Sequence, residues 1–225
     1  MEIGSNKWNR LIADGADELN ISLDQKKIEL LGRHAIELLR WNQTINLTAI
    51  TDPAKIAVNH FLDSLAPAPM IPPGASLLDI GSGGGFPGIP LKVSIPSISV
   101  MLIDSSRKKI SFLKHAIRTL GLNHVDTRQV RAEDFTKDGP PRHFYDVIIS
   151  RALSSVDVFI HMALPLLSKN GIIILMKGKL SNKDIESVRS SLKKIKPIYF
   201  LMVKNYRLPF SHAERSLLLL QRTHR

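Results

Sequence analysis

Leu77-Leu78-Asp79-Ile80-Gly81-Ser82-Gly83-Gly84-Gly85-Phe86-Pro87-Gly88 is an apolar run that meets an acid and then places five glycines within eight positions. A buried parallel strand that turns sharply beneath a bound nucleotide is written this way. The turn needs backbone angles that a Cβ resists, and a ligand must come close to the main chain. A glycine-rich turn without a ligand is the plain alternative. Around this stretch, apolar segments Ser76–Ile80, Ile98–Ile103, Val125–Val130, Tyr145–Ser150 and Gly171–Met176 alternate with helical segments at 88–95, 106–120, 154–167 and 183–195. This rhythm predicts an α/β fold with a parallel, Rossmann-like sheet covered on both faces. After Pro197, Tyr199–Val203 and Ser216–Gln221 are joined by a loop too short for a crossover helix, so they are expected to pair antiparallel.

Upstream the chain reads as helical. Ser22 and Gln25 have capping-box spacing ahead of an apolar stripe, Ile28, Leu31, Ala35, Leu38 and Leu39, that ends near Trp41. Asp52-Pro53 predicts an N-cap followed by proline at the first helical position, opening a helix to about Leu65. Pro67, Pro69, Pro72, Pro73 and Gly74 then form a linker, which divides the chain into a helical extension, 1–70, and a Rossmann-like domain, 71–225.

Two ligands compete for the glycine loop. Gly83-x-Gly85-x-x-Gly88 matches the dinucleotide fingerprint, but in the frame set by the strand the first glycine is Gly81 and the third fingerprint position falls on Phe86. A carboxylate at Asp79 would repel a pyrophosphate and suit a cation. Asp79-x-Gly81-x-Gly83-x-Gly85 resembles the D-x-G-x-G-x-G pattern of class I methyltransferases, whose cofactor, S-adenosylmethionine, carries a sulfonium, an ammonium and no phosphate. The antiparallel tail is a further likeness to that class.

Composition bounds the partners. The chain has 225 residues, 44% of them hydrophobic, enough for a sizeable core. A net charge of +11 and an isoelectric point near 10.0 favour nucleic acid or another anionic surface, with a merely solvated basic surface as the alternative. With zero cysteines, disulfides, thiolate zinc sites and cysteine nucleophiles are excluded, including the covalent route to carbon-5 methylation of pyrimidines. No apolar stretch approaches the ~20 residues of a membrane span, and the polar N-terminus predicts a cytoplasmic protein.

Ligands of such sheets lie across the carboxyl ends of the strands. Asp104 there either accepts the ribose hydroxyls of adenosine or caps the helix that follows. Ala132-Glu133-Asp134 either reaches the adenine edge or caps a helix, and Phe86 packs on the cofactor or in the core. The fourth strand ends Ser150-Arg151-Ala152, where methyltransferases keep residues near the transferred methyl. Asn-Pro-Pro-Tyr, the usual signature for exocyclic amines, is missing. Such amines must shed a proton, whereas guanine N7 offers an in-plane lone pair and needs only alignment. Arg151 would then hold O6 or a phosphate, or else serve as an ion-pair partner within the fold.

Taken together, these residues resemble the RsmG (GidB) family of bacterial methyltransferases, which make 7-methylguanosine in the decoding-region loop of 16S ribosomal RNA. The likeness is carried by Asn46-Leu47-Thr48-Ala49-Ile50, His60-Phe61-Leu62-Asp63-Ser64, the block Leu78–Pro90, Lys108-Lys109 with Phe112-Leu113, Ser150-Arg151-Ala152, Lys177-Gly178 and Glu214-Arg215. By that resemblance Gly81, Phe86, Ala132, Glu133 and Arg151 contact S-adenosylmethionine or border its methyl, and the substrate is 16S rRNA or a small-subunit particle. Asn46 and His60 are expected as pocket or interdomain contacts on the RNA side, not proton carriers. Arg107-Lys108-Lys109 crowds cations at a helix start, a poor place for them unless an anion faces them. Lys177, Arg207, Arg215 and Arg222 extend a candidate RNA track, and Trp8 and Trp41 are either packing residues or stacking platforms. A monomeric guanine-N7 methyltransferase is the expectation; the rivals are a methyltransferase for a non-RNA substrate and a non-catalytic assembly factor.

Overall fold

A computed structural model describes residues 1–135, 144–151, 156–193 and 199–222. Ala152, Pro197, the start of the expected helix at 154–167 and the end of that at 183–195 lie outside the described residues. Seven strands form one sheet: β1 (Ser76–Ile80), β2 (Ser99–Asp104), β3 (Val125–Gln129), β4 (Tyr145–Arg151), β5 (Leu167–Gly178), β6 (Tyr199–Arg207) and β7 (Glu214–Arg222), in the order β3-β2-β1-β4-β5-β7-β6. The first five pair in parallel, and the β6–β7 hairpin joins β5 antiparallel through β7, as expected.

Alternation along the central strands feeds two cores. Leu77, Val147, Ile149, Ile174 and Leu219 pack on the face shared with the N-terminal helices, while Leu78, Ile148, Ile173 and Leu218 pack on the other, which also holds Phe159 and Val188. On the first face lie α1 (Asn6–Glu18), α2 (Gln25–Asn42), α3 (Pro53–Ile56), α4 (Asp63–Leu65), α5 (Gly88–Ser94) and α6 (Arg107–Leu120). On the second lie α7 (Val156–Ala163) and α8 (Asn182–Leu192). Trp8 is fully buried and donates its indole N–H to the Pro53 carbonyl at 3.1 Å, which makes it a packing residue.

Three local expectations need correction. The cap of α2 is Asp24, not Ser22: its carboxylate accepts from Lys27 N at 2.8 Å, and an anion complements the helix dipole. The helix opened by Asp52 widens into a π turn over Ala57–Leu62 before α4, so it carries Asn59, His60 and Asp63 on an altered period. The segment after 154 ends its α-helix at Ala163, because Pro165 lacks the N–H that a further turn would need, and β5 starts at Leu167.

Candidate active site

The glycine loop connects β1 to α5 with two kinds of glycine. Gly81, Gly83 and Gly85 have φ of +78°, +54° and +86°, a region that L side chains avoid. A Cβ on Gly81 would meet nothing within 4 Å, whereas one on Gly88 would stand 2.4 Å from Leu102 Cδ2 and 2.9 Å from Asp79 Oδ2. The loop is thus open to the ligand side at Gly81 and pressed on the protein at Gly88. Beneath it, Asp79 is fully buried, and its Oδ2 accepts from Gly88 N at 2.9 Å. Burial pushes the Asp79 carboxyl up to about 7. Asp79 thus staples the loop from below through Oδ2 and is not among the residues that line the cavity, while its Oδ1 is buried without a hydrogen-bond partner among the described residues.

That cavity measures about 540 Å³ and opens at the carboxyl ends of the strands. Ile80, Gly81, Ile103, Asp104, Ser105, Lys109, Val130, Arg131, Ala132, Glu133, Arg151 and Met162 line it. Of the expected cofactor residues, Gly81, Asp104, Ala132, Glu133 and Arg151 are brought together. Gly83 and Gly85 support it through the loop. Asp104 accepts from Gly83 N at 3.1 Å and Ser106 N at 2.8 Å, while Ser106 is the cap of α6. A carboxylate has about four acceptor positions, so these two bonds leave room for a ligand hydroxyl. The volume suits a small-molecule cofactor, and the bare Gly81 backbone gives it close approach. The residues present fit S-adenosylmethionine.

Phe86 is not among the residues that line the cavity, and its ring lies under the guanidinium of Arg151, 5.3 Å away. The Phe86 ring stacks with His34 at 5.0 Å and His60 at 4.8 Å, the core packing that is the alternative to a side-chain contact with the cofactor. His34, unremarked in the sequence, is completely buried on α2 and lies 2.9 Å from the Gly84 carbonyl through Nε2. A histidine in an apolar stripe carries no local sign that it will reach a loop fifty residues away.

Arg151, at the end of β4, is gripped by one stretch of helix. Its guanidinium donates to the Asn59 carbonyl at 2.8 Å and to His60 Nδ1 at 2.9 Å, and stands 3.4 Å from Asp63 Oδ2. Because a guanidinium only donates, His60 Nδ1 is the acceptor and its proton sits on Nε2, 2.8 Å from Thr48 Oγ1. Burial, then the charge of Arg151, lowers the His60 pKa to about 4. His60 is neutral, with both ring nitrogens committed, to Arg151 at the end of β4 and to Thr48. Asn42 has a role that no local pattern signals: its side chain bonds Leu47 N, Thr48 N and the Thr48 carbonyl, shaping the loop that holds His60.

The remaining cations divide. Arg107 and Lys108 are exposed at the start of α6, Lys109 stands 3.8 Å from Asp104 Oδ2, and Asn46 is exposed on its loop. Lys177 is half-buried near the end of β5, Arg207 is exposed on the hairpin, and Arg215 turns its Nε toward Asp63 at 3.4 Å.

A family model described as GidB, rRNA small subunit methyltransferase G, matches residues 27–217. The chain belongs to this family. A ribosomal RNA small subunit methyltransferase G of Geobacter sulfurreducens is 39% identical over 208 residues, covering 92% of this chain and 94% of the relative. That of Thermoanaerobacter sp. (strain X514) is 35% identical over 219 residues, covering 96% and 91%. Among solved structures, Pyrococcus horikoshii TYW2 in complex with MeSAdo aligns with a TM-score of 0.57 at 16% identity over 72% of this chain and 62% of that one, a likeness of fold. Membership in the GidB family makes the chain an S-adenosylmethionine-dependent rRNA methyltransferase on a class I fold. Among the described residues, no helix is long and apolar enough to cross a membrane.

The buried titratable groups of this family member predict a pH profile of stability. His34 and His60 both have pKa values lowered to about 4, so their stabilisation is present above the unfolded value of 6.5 and is lost as pH falls through 4. Asp79, raised from 3.8 to about 7, acts oppositely: its contribution is present below 3.8 and lost as pH rises through 7. Between about pH 4 and 6.5 two protons oppose one, a net gain of roughly 1.4 kcal/mol per pH unit from these groups. Denaturant unfolding from pH 4.5 to 6.5 should show this rise, and His34→Gln should flatten it.

Proposed function

We propose that the chain transfers the methyl group of S-adenosylmethionine to N7 of a guanine in small-subunit (16S) rRNA, with the cofactor in the 540 Å³ cavity and the guanine held at Arg151. The observation that carries this reading is the fixed guanidinium at the cavity wall beside a histidine already committed as a neutral acceptor. Such a site can hold the acceptor-rich O6 edge of guanine, and it has no need to remove a proton. When bound, the cofactor supplies an electrophilic methyl on a sulfonium. Asp104 accepts the ribose hydroxyls, Ala132 and Glu133 border the adenine, and the Gly81 backbone allows close approach. Lys109 balances Asp104, while Asn46, Arg107, Lys108, Lys177, Arg207 and Arg215 favour the RNA. The reading carries with it a monomer acting in the cytoplasm, and sedimentation of the purified protein checks the first of these.

Incubating the protein with S-adenosylmethionine and small-subunit particles or their RNA, then mass mapping nuclease fragments, should yield 7-methylguanosine at one position. A methyl on an exocyclic amine would overturn the assignment. The single-turnover rate should stay flat between pH 6 and 8 for want of an essential base. Arg107→Ala with Lys108→Ala should weaken RNA binding and reduce its salt slope by up to ~0.7 for each phosphate no longer neutralised.

A further inference from the structure

Asp63 stands where three parts of the chain meet. It follows the π turn that bears Asn59 and His60, its side chain is buried, and its two oxygens face different partners. Oδ2 lies 3.4 Å from Arg151 Nη1. Oδ1 accepts from the Tyr206 hydroxyl at 2.8 Å and lies 3.4 Å from Arg215 Nε. Arg151 lines the large cavity, whereas Tyr206 and Arg215 line another of about 270 Å³, between the end of β5 and the β6–β7 hairpin.

The geometry points to Asp63 as a positioning residue for methyl transfer: with Tyr206 fixing the roll of its carboxylate, Asp63 sets where the Arg151 guanidinium stands against the cavity. This rests on the reading of Arg151 as the group that holds the guanine. The two shorter bonds of Arg151, to Asn59 and His60, come from consecutive residues of one turn and leave the guanidinium able to pivot about them. Asp63 supplies the third point, at 3.4 Å, and so settles the tilt. Its own rotation is held from the hairpin, chiefly by the Tyr206 phenol at 2.8 Å, 143 residues away in sequence, with Arg215 Nε farther off at 3.4 Å from the same oxygen. Burial and the neighbouring Asp63 raise the Tyr206 pKa far above its ordinary value, so the hydroxyl keeps its proton and remains a donor. The hairpin thereby acts on the far side of the carboxylate from the cavity it tunes.

Tyr206→Phe removes this one donor and keeps the ring. Misplacement of a reacting group by 1 Å can cost about 100-fold in rate, and a partial shift of Arg151 is expected to cost about tenfold. The single-turnover rate at saturating RNA and S-adenosylmethionine should fall by that factor, with both dissociation constants within about twofold of the native protein. Asp63→Asn, which turns an amide donor or a neutral oxygen toward Arg151, should fall further. In an Arg151→Lys background, Tyr206→Phe should have no further effect on the rate. An equal loss in that background, or an unchanged rate for both Tyr206→Phe and Asp63→Asn, would show that Asp63 does not act through Arg151. If Arg151→Lys and Arg151→Ala themselves keep the full rate, the placing of the guanine at Arg151 fails first, and the two failures are told apart. Should Asp63→Asn unfold at assay temperature, Tyr206→Phe and its cycle with Arg151→Lys still decide; should Tyr206→Phe unfold, Asp63→Asn is tested in the Arg151→Lys background in its place, with the same outcomes.

Discussion

Arg151→Ala is expected to lower the single-turnover rate of methyl transfer by about 100-fold at saturating RNA, while RNA affinity falls by less than about tenfold. The guanidinium is held by Asn59, His60 and Asp63 and lies 5.3 Å from the centre of the Phe86 ring, so its position is determined by the fold and not by RNA. Phosphate contacts supply affinity that is spread over many cations, but a group beside the reacting atoms acts through geometry. The substitution also leaves Asp63 with Tyr206 and Arg215 alone, and His60 Nδ1 without a donor. A buried acceptor left unpaired costs about 1–3 kcal/mol, so thermal unfolding should move down as the rate falls. Arg151→Lys keeps the charge without the planar fork and should recover stability more fully than rate. An Arg151→Ala protein that binds RNA weakly and methylates at the native rate would remove the active centre from the end of β4.

The second large effect separates the two kinds of glycine. Gly81→Ala places a methyl group where there is open space on the cavity wall, at a φ of +78°. The backbone strain is about 1–2 kcal/mol, yet the intrusion on the ligand should weaken S-adenosylmethionine binding by at least about tenfold. Gly88→Ala drives its Cβ into Leu102 and the Asp79 carboxyl, at 2.4 and 2.9 Å. Overpacking costs about 1–3 kcal/mol, and breaking the bond between Asp79 and Gly88 N releases the loop as well. Calorimetry and thermal unfolding on the two variants should show binding lost with modest destabilisation in the first and both lost together in the second. Undiminished binding by Gly81→Ala would place the cofactor elsewhere. Asp79→Asn, which retains an acceptor for Gly88 N, should bind nearly as the native protein does, an outcome opposite to that expected of a carboxylate touching a cationic ligand.

Much of the sheet was readable because its causes are local. A strand buried on both faces must be a short apolar run, and Ser76–Ile80 occupies the same residues in the structure as in the reading of the sequence. Gly81, Gly83 and Gly85 could be read for the same reason, since positive φ is a demand of one residue's own backbone. The loop between Tyr199–Val203 and Ser216–Gln221 likewise forced the antiparallel tail, because a short connection admits nothing else. What the residue types could not reveal is depth and direction. Asp79 and Asp104 both end or nearly end strands beside one loop, yet one lies beneath it and the other lines the cavity. The pairing of β1 with β2 sets Asp79 against Leu102, two residues deeper in the sheet than Asp104, and only that register separates the two acids. His34, Asp63 and Tyr206 acquired their roles only from packing: a helix face brings His34 to Gly84, the π turn brings Asp63 to Arg151, and the hairpin brings Tyr206 to Asp63. The sequence by itself thus determined the strands, the glycine loop and the family, all of which rest on needs met within a few residues. Tertiary structure alone decided the partners of the buried charges, since a buried acid or guanidinium must be matched by whatever group the folded chain delivers to it, however distant in sequence.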